Sequence, residues 1–536
     1  MTTQYMQTPV EAEVQRRQLR NWIIAILLLA LLCFFAWNRY GANRPVRYTT
    51  DEDHFKYGSI GSDIENGIPI PILEVLPTMF PEYLPNYTGP ENISTQTKDY
   101  TVFGFIQEPG HKLPIGFSTR QYRGLQVTGL NCASCHTGAM RSSVDDEPQV
   151  ILGMPANTVD LGAFFFFLFD SVEDYRFTGP EVVKAIEEKN GRMFFVDRLL
   201  YRFIVVSEMQ RELLKRKAQL EAFMLPEHPK FGAGRVDTFN PYKTNQYAEY
   251  YQVNHLAFQD SERIGTADFP SIWNQKPRVG MAVHWDGDNA SLVARNFSAS
   301  FGAGATPKNV DRAAVERIGT WLQNKLHAPE YPYEISQEQA MLAQGEELYQ
   351  VYCYDCHDFG GANIGKVDPI SSIATSRNRL DSYTEDLVGA QHWYGEENKK
   401  YGDFEFDCFK KTDGYVNAPL DGIWARAPYL HNGSVPTVWD LLTPAEERSQ
   451  DSFYRGHGVY DQEKMGIRTD VAEVDGRGSF ILDVSLPGNS NQGHSGEVYG
   501  TELSNEDKYA LIEYLKTYYP QKGTPHKAAE EGICPE

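Results

Sequence analysis

Two short segments limit what this chain can become. Cys132-Ala133-Ser134-Cys135-His136 and Cys353-Tyr354-Asp355-Cys356-His357 repeat the spacing C-x-x-C-H and use four of the seven cysteines. That spacing offers two thiols to the two vinyl groups of a haem, and the adjacent histidine ligates its iron from the proximal face. Zinc would need four converging ligands, and the two pairs stand far apart in the chain. A thioredoxin-like dithiol would need a βαβ setting, and none is visible. The reading is two covalently bound haem c groups, one on Cys132, Cys135 and His136, the other on Cys353, Cys356 and His357. Cys408 and Cys534 could pair in an oxidising compartment, though nothing in their spacing brings them together.

Covalent haem c fits an exported chain, and the N-terminus supplies the route. Trp22–Trp37 is an uncharged apolar run preceded by Arg16, Arg17 and Arg20. It is short for a span but sufficient if its flanks snorkel, and the arginines keep the N-terminus in the cytoplasm. No small-residue cleavage site follows, and bulky Leu32 makes Cys33 a poor lipidation site. The expectation is an uncleaved single-pass signal anchor in a bacterial inner membrane, with the bulk of the chain in the periplasm. A cleaved signal peptide would export the same residues.

Charge narrows the partners. The net charge is −22, yet residues 1–44 carry five arginines against Glu11 and Glu13, a local +3 that leaves about −25 on the remainder. Such a body repels nucleic acid and an anionic membrane surface and favours a basic partner or none; solubility alone explains it equally well.

A chain of 536 residues exceeds one ordinary core. The pattern reads as mainly α, two cytochrome c-type haem domains with long irregular connections plus the N-terminal transmembrane helix. The expected division is a cytoplasmic tail at 1–21, an anchor at 22–37, an N-terminal haem domain at 45–329 and a C-terminal haem domain at 330–536. Residues 337–352 form an amphipathic pattern leading into the second C-x-x-C-H, and 505–519 would close that domain. Residues 45–130, rich in Gly, Pro and Tyr, read as loops with short elements. Residues 161–170 (LGAFFFFLFD) are too short to span and read as a core helix. Residues 192–224 read as one long helix, with Phe195, Leu199, Phe203, Val206, Leu213 and Leu220 on one broad apolar face. Its other face is basic, and a solvated surface is favoured there over a dock for an acidic partner.

Histidines must supply what C-x-x-C-H leaves open. A low-spin electron-transfer haem needs a sixth ligand, commonly His or Met. Downstream of the second site His494 is the leading candidate; His431 suits a structural or propionate-side hydrogen bond, and Met465 ranks below both. At the first haem, His284 is the candidate for a distal role, against a plainer role as a backbone-bonded neighbour. Trp285 and Phe301 read as haem-lining or simple packing. Arg295 and Asn296 could meet a propionate or shape the distal pocket, where an arginine would stabilise charge on bound peroxide; a salt bridge is the equal alternative.

Longer motifs carry a resemblance. NCASCHTG (131–138), GRVDTFNPYK (234–243), HWDGDNASLVARNFSASFGAGATP (284–307), LDGIWARAPYLHNGSVPTVWDLL (420–442) and SNQGHSGEVYGTEL (490–503) resemble the dihaem cytochrome c peroxidase superfamily, closest to its rubber-oxygenase-like branch. The resemblance covers nearly everything after the anchor. It implies that the His136 haem is the active-site haem, where peroxide or O2 reacts. It implies that the His357 haem transfers electrons with His494 as second ligand, and that Trp285 lies near both haems as a relay. Related peroxidases hold a Ca2+ between the haem domains, which no particular residues here can be assigned to hold. A membrane tether departs from secreted rubber oxygenases and argues against an insoluble polymer as substrate. His284 stands where those oxygenases carry apolar bulk, so it could serve as a sixth ligand or a peroxidase-like acid/base.

Three functions follow. The first is an oxidoreductase using peroxide or O2, fed by a periplasmic or membrane electron donor. The second is a pure electron carrier with both irons six-coordinate. The third is a haem-based sensor or assembly subunit. The bulk around the first haem favours the oxidoreductase, because a simple carrier needs only a small domain per haem.

Overall fold

The computed structural model describes residues 9–85 and 99–518. The ends of the expected tail and C-terminal domain, with Tyr519 and Cys534, lie outside them. Helices dominate. Among the described residues the strands form one four-stranded and six two-stranded antiparallel sheets.

One helix, Pro9–Tyr40, contains the apolar run, and its segment Glu13–Tyr40 is long and apolar enough to cross a membrane. None of that apolar window is buried against the rest of the chain. The chain then enters a sheet: Asn43–Pro45 pairs with Arg120–Tyr122, with Arg44 opposite Gln121. Leu125–Thr128 and Ile68–Pro69 complete it. The stretch 45–130 therefore holds more regular structure than its composition suggests, including helices Asp51–Tyr57 and Ile70–Met79.

A phenylalanine-rich core forms around helix Leu161–Glu173. Asp160 caps it by accepting the N–H of Ala163, and Phe164, Phe167, Leu168 and Phe169 turn inward. Each buried ring of this kind stabilises the fold by about 2 kcal/mol. The largest core draws from both sides of position 330, joining Phe55, Trp273 and Phe301 to Tyr349, Trp424 and Leu511. Phe301 there packs edge-on against Tyr394, Phe404 and Phe406, which is a packing role.

The 192–224 pattern does not form one helix with one face. Phe195–Leu200 runs into a π-turn at Tyr201–Val205, and Val206–Glu221 continues beyond it. The extra residue of a π-turn rotates all that follows. Val206 and Leu213 consequently face the core, while Phe195, Leu199 and Phe203 face outward.

Helix Gln339–Tyr352 crosses Asn505–Thr517 at Gly345, where a Cβ would lie 2.1 Å from the Ala510 carbonyl oxygen. Only glycine permits that approach. Tyr349 and Tyr518 both donate to the Asp358 carboxylate, at 3.1 and 2.7 Å, clamping the residue after His357.

Buried His457 makes a pH prediction. Its Nδ1 accepts the N–H of Val459 at 3.0 Å and its Nε2 faces the Tyr454 carbonyl at 3.3 Å, so the ring is neutral. Burial lowers its pKa to about 4. The unfolded chain takes up the proton first, near pH 6.5, so this stabilisation is complete above that pH and declines as pH falls toward 4. The expected loss is about 3 kcal/mol across that window. Denaturant unfolding at pH 7.5 and 4.5 should show a smaller pH dependence for His457→Gln than for the native chain; equal dependence would contradict the assignment.

Candidate haem sites

Each C-x-x-C-H folds into a single tight turn. Around the first, the Asn131 side chain accepts the N–H of Ala133, and the backbone N–H groups of Cys135 and His136 both donate to the Cys132 carbonyl. Around the second, His357 N–H donates to the Cys353 carbonyl at 2.8 Å. Both histidines commit Nδ1 to a carbonyl: His136 to Pro270 at 2.9 Å, His357 to Ala418 at 2.7 Å. That fixes the tautomer and leaves Nε2 for a metal. Burial lowers the pKa of both, His136 to about 3, so each imidazole is the neutral, ligating form.

The two sites differ in what else surrounds the histidine. His494 lies opposite His357, with ring centroids 6.3 Å apart and planes inclined 42°. An iron with an imidazole nitrogen about 2.0 Å away on each face separates the ring centres by about 6 Å. The pair therefore fits one metal between them. The residues before His494 are fixed by Arg448, a buried guanidinium that donates to the carbonyls of Asn491, Gly493 and His494 at 2.6, 2.9 and 3.1 Å. His494 N–H donates to Ile373 at 2.7 Å, its backbone has φ +46, and burial lowers its pKa to about 3.

The other two ligand candidates have other contacts. His431 stacks on Tyr415 and bonds its hydroxyl at 3.0 Å, while its own carbonyl accepts the Asp268 N–H. Met465 is buried in the main core.

Near His136, the sequence HWDGDN closes a loop through the bridge between Val283 and Asn289. His284 (φ +65) directs Nδ1 to the buried carboxylate of Asp288 at 2.6 Å, an arrangement that leaves Nε2 as proton acceptor. Arg295 and His284 both act electrostatically on His136, and Arg295 also on Cys132, so these side chains share one neighbourhood. Burial lowers the Arg295 pKa to about 10, with Arg278 adding to the effect, and it remains cationic at neutral pH. The Asn296 carbonyl accepts the Ser300 hydroxyl in its own helix.

Trp285 occupies the seam. Its Nε1–H donates to Asp268 at 2.8 Å, two residues before the Pro270 carbonyl that holds His136. Its ring packs against the small core of Ile370, Leu380 and Tyr415, as does Ile373, whose carbonyl accepts the His494 N–H. Gly287 brings this loop against the second site's support, since a Cβ there would meet Val367 and Val416 side chains at 2.5 and 2.9 Å.

Further buried groups suit a charged cofactor edge. Arg235 is fully buried, pairs with Asn489 through one nitrogen, and leaves Nε and Nη1 without partners. Cationic donors of that kind match a haem propionate carboxylate. Among the described residues no cluster of three or more His, Cys, Asp or Glu side chains converges as a metal site. Cys408 is disulfide-bonded.

Asp288, Arg448 and Asp421 were not singled out from the sequence. Asp288 stands four residues after His284 and Asp421 lies within the 420–442 motif, so a signal was present for these two; Arg448 lies six residues beyond that motif and carried none.

A helical body with two C-x-x-C-H turns and neutral, carbonyl-tethered histidines describes a c-type cytochrome. Residues 414–454 match the family described as RoxA-like, cytochrome c-like. This supports a relationship to RoxA-like dihaem cytochromes, and a cytochrome c-like domain implies covalently bound haem c. The matched stretch contains the Ala418 carbonyl that holds His357 and the Arg448 that holds the His494 loop. Two proteins of Sinorhizobium fredii (strain NBRC 101917 / NGR234) are also similar. "Uncharacterized protein y4iJ" is 26% identical over 537 residues, 80% of this chain and 85% of its own length. "Uncharacterized protein y4iM" is 29% identical over 286 residues, 47% of this chain and 64% of its own.

Proposed function

We propose that this protein is a membrane-anchored periplasmic dihaem cytochrome of the peroxidase superfamily, reacting peroxide or O2 at His136 with electrons delivered through His357 and His494. The observation that carries the reading is the asymmetry between the sites. His357 faces a second imidazole at ligating separation, whereas His284 beside His136 has its Nδ1 engaged by Asp288. Haem c bound at both positions supplies one-electron iron chemistry. The protein's own groups supply the rest. His284 takes a proton at Nε2, with Asp288 stabilising the imidazolium. The Arg295 guanidinium stabilises negative charge on the oxidant in a low-dielectric pocket. Trp285, bonded to Asp268 near the His136 support and packed on the same small core as Ile373, is the relay.

The test is low-temperature EPR of the oxidised full chain, with pyridine haemochrome to count haems. One high-spin and one low-spin ferric signal support the proposal. Two low-spin ferric signals in the oxidised protein, with the one iron that stays ferric on half-reduction also low-spin, would leave a pure electron carrier. If the first site turns over peroxide, His284→Ala should lower kcat by about 100-fold or more while leaving both haems attached. A change below threefold would remove His284 from the reaction.

A further inference from the structure

The π-turn leaves the helix before it with an unusual surface. Phe194, Phe195, Val196, Leu199, Phe203 and Ile204 are exposed, Phe195 by 69% and Phe203 by 66%. Positions 195, 199 and 203 fall on one helical face, with 196 and 204 beside it. Soluble surfaces scatter single apolar side chains; a contiguous stripe with three phenylalanines marks a contact surface.

Its position identifies the contact. Arg39 lies just beyond Trp37, at the end of the apolar run, and its guanidinium pairs with Asp197 in the middle of the striped helix. The pairing of Asn43–Pro45 with Arg120–Tyr122 then holds the globular body at this end of the anchor. A charged residue directly after an apolar span sits at the membrane–water boundary. Asp197 is one ion pair away from it, so the stripe lies at interfacial depth. Exposed Arg192 and Arg202 flank the stripe, and the Arg202 guanidinium lies 5.6 Å from the centre of the Phe203 ring. Long cationic side chains beside aromatic rings lay their stems on apolar surface and direct their heads to phosphates.

We propose that residues 194–204 lie in the interface of the bilayer that the N-terminal helix spans, forming a second, non-spanning membrane contact. Phe195, Leu199 and Phe203 enter the acyl boundary, and Arg192 and Arg202 meet phospholipid headgroups. The occupant is the lipid bilayer, because the anchor delivers the stripe to it. This inference rests on the reading of Trp22–Trp37 as a span.

The test uses the full chain in its membrane, with p-benzoylphenylalanine in place of Phe203, or in place of Phe195 if the first variant fails to incorporate haem. Irradiation followed by mass spectrometry identifies what the probe captures. Leu28→p-benzoylphenylalanine reports the span independently, and Val253→p-benzoylphenylalanine, also 69% exposed as valine, is the surface control. Phospholipid adducts at Phe203 several-fold above Val253 and comparable to Leu28 are expected. Lipid capture at Leu28 with Phe203 at the control level would overturn the inference and leave the span intact. Lipid capture at neither would remove both. Protein adducts at Phe203, to a partner or a second copy, would also overturn it.

Discussion

If haem c is bound at both C-x-x-C-H turns as proposed, His494→Ala should abolish a bis-imidazole low-spin ferric signal while the chain still carries both haems. Attachment at the second site uses Cys353, Cys356 and His357, none of which depends on the His494 ring. The site would become high-spin or capture a weaker ligand, and its EPR g-values and Soret band would shift accordingly. Millimolar imidazole should restore the low-spin signal, because the cavity opposite His357 would then accept a free ring. That rescue separates ligation from folding. His494→Met should keep the iron six-coordinate and raise the reduction potential, since a thioether in place of an imidazole favours the ferrous state. An unchanged low-spin signal in the alanine variant would assign the sixth ligand elsewhere. The prediction is large because the loop is built for one geometry: Arg448 satisfies three carbonyls within 491–494, and Ile373 takes the His494 N–H.

What the sequence revealed follows the range of the interactions concerned. C-x-x-C-H is local, so the positions of Cys132, Cys135, His136, Cys353, Cys356 and His357 could be read directly. The apolar runs at 22–37 and 161–170 were equally legible, since hydrophobicity and length decide both. His494 could be read from the sequence only as one of several downstream candidates, because His357 is distant in sequence and meets it through tertiary packing. The π-turn at Tyr201–Val205 was not legible: a period of 3.6 residues runs through 192–224, and one inserted residue reverses which half is buried. The carbonyls of Pro270 and Ala418 were invisible for a simpler reason. Backbone acceptors carry no sequence signature, yet they decide which nitrogen each proximal histidine presents.

Asp421→Ala should destabilise the protein more than any surface change, by about 3 kcal/mol, because it strands two arginines whose side chains are only 16% and 13% exposed. The Asp421 side chain is fully buried. Its carboxylate accepts Arg278 at 2.6 and 3.0 Å, Arg426 at 2.6 Å and the Asn274 amide at 2.9 Å. Burial lowers the Arg426 pKa to about 10, so the guanidinium stays charged at neutral pH and needs that carboxylate. The cost is a large share of the roughly 5–15 kcal/mol that holds a folded domain. Asp421→Asn should recover only part of it. The single amide oxygen can still accept at the Oδ1 position from Arg278 and Arg426, while the NH2 meets the donors Arg278 and Asn274 at the Oδ2 position. The same group couples the two haem supports. Trp273 Nε1–H donates to the Asp421 carbonyl, and Arg278 ties in the segment that begins near Pro270, the acceptor for His136. Ala418, the acceptor for His357, is three residues before Asp421. Loss of the carboxylate should therefore lower the unfolding midpoint and broaden the EPR signals of both haems together. A cost below about 1 kcal/mol would mean that water reaches the two arginines. Broadening confined to one haem would mean that the supports are independent, and that the segments around Pro270 and Ala418 are held by the surrounding core rather than by this carboxylate.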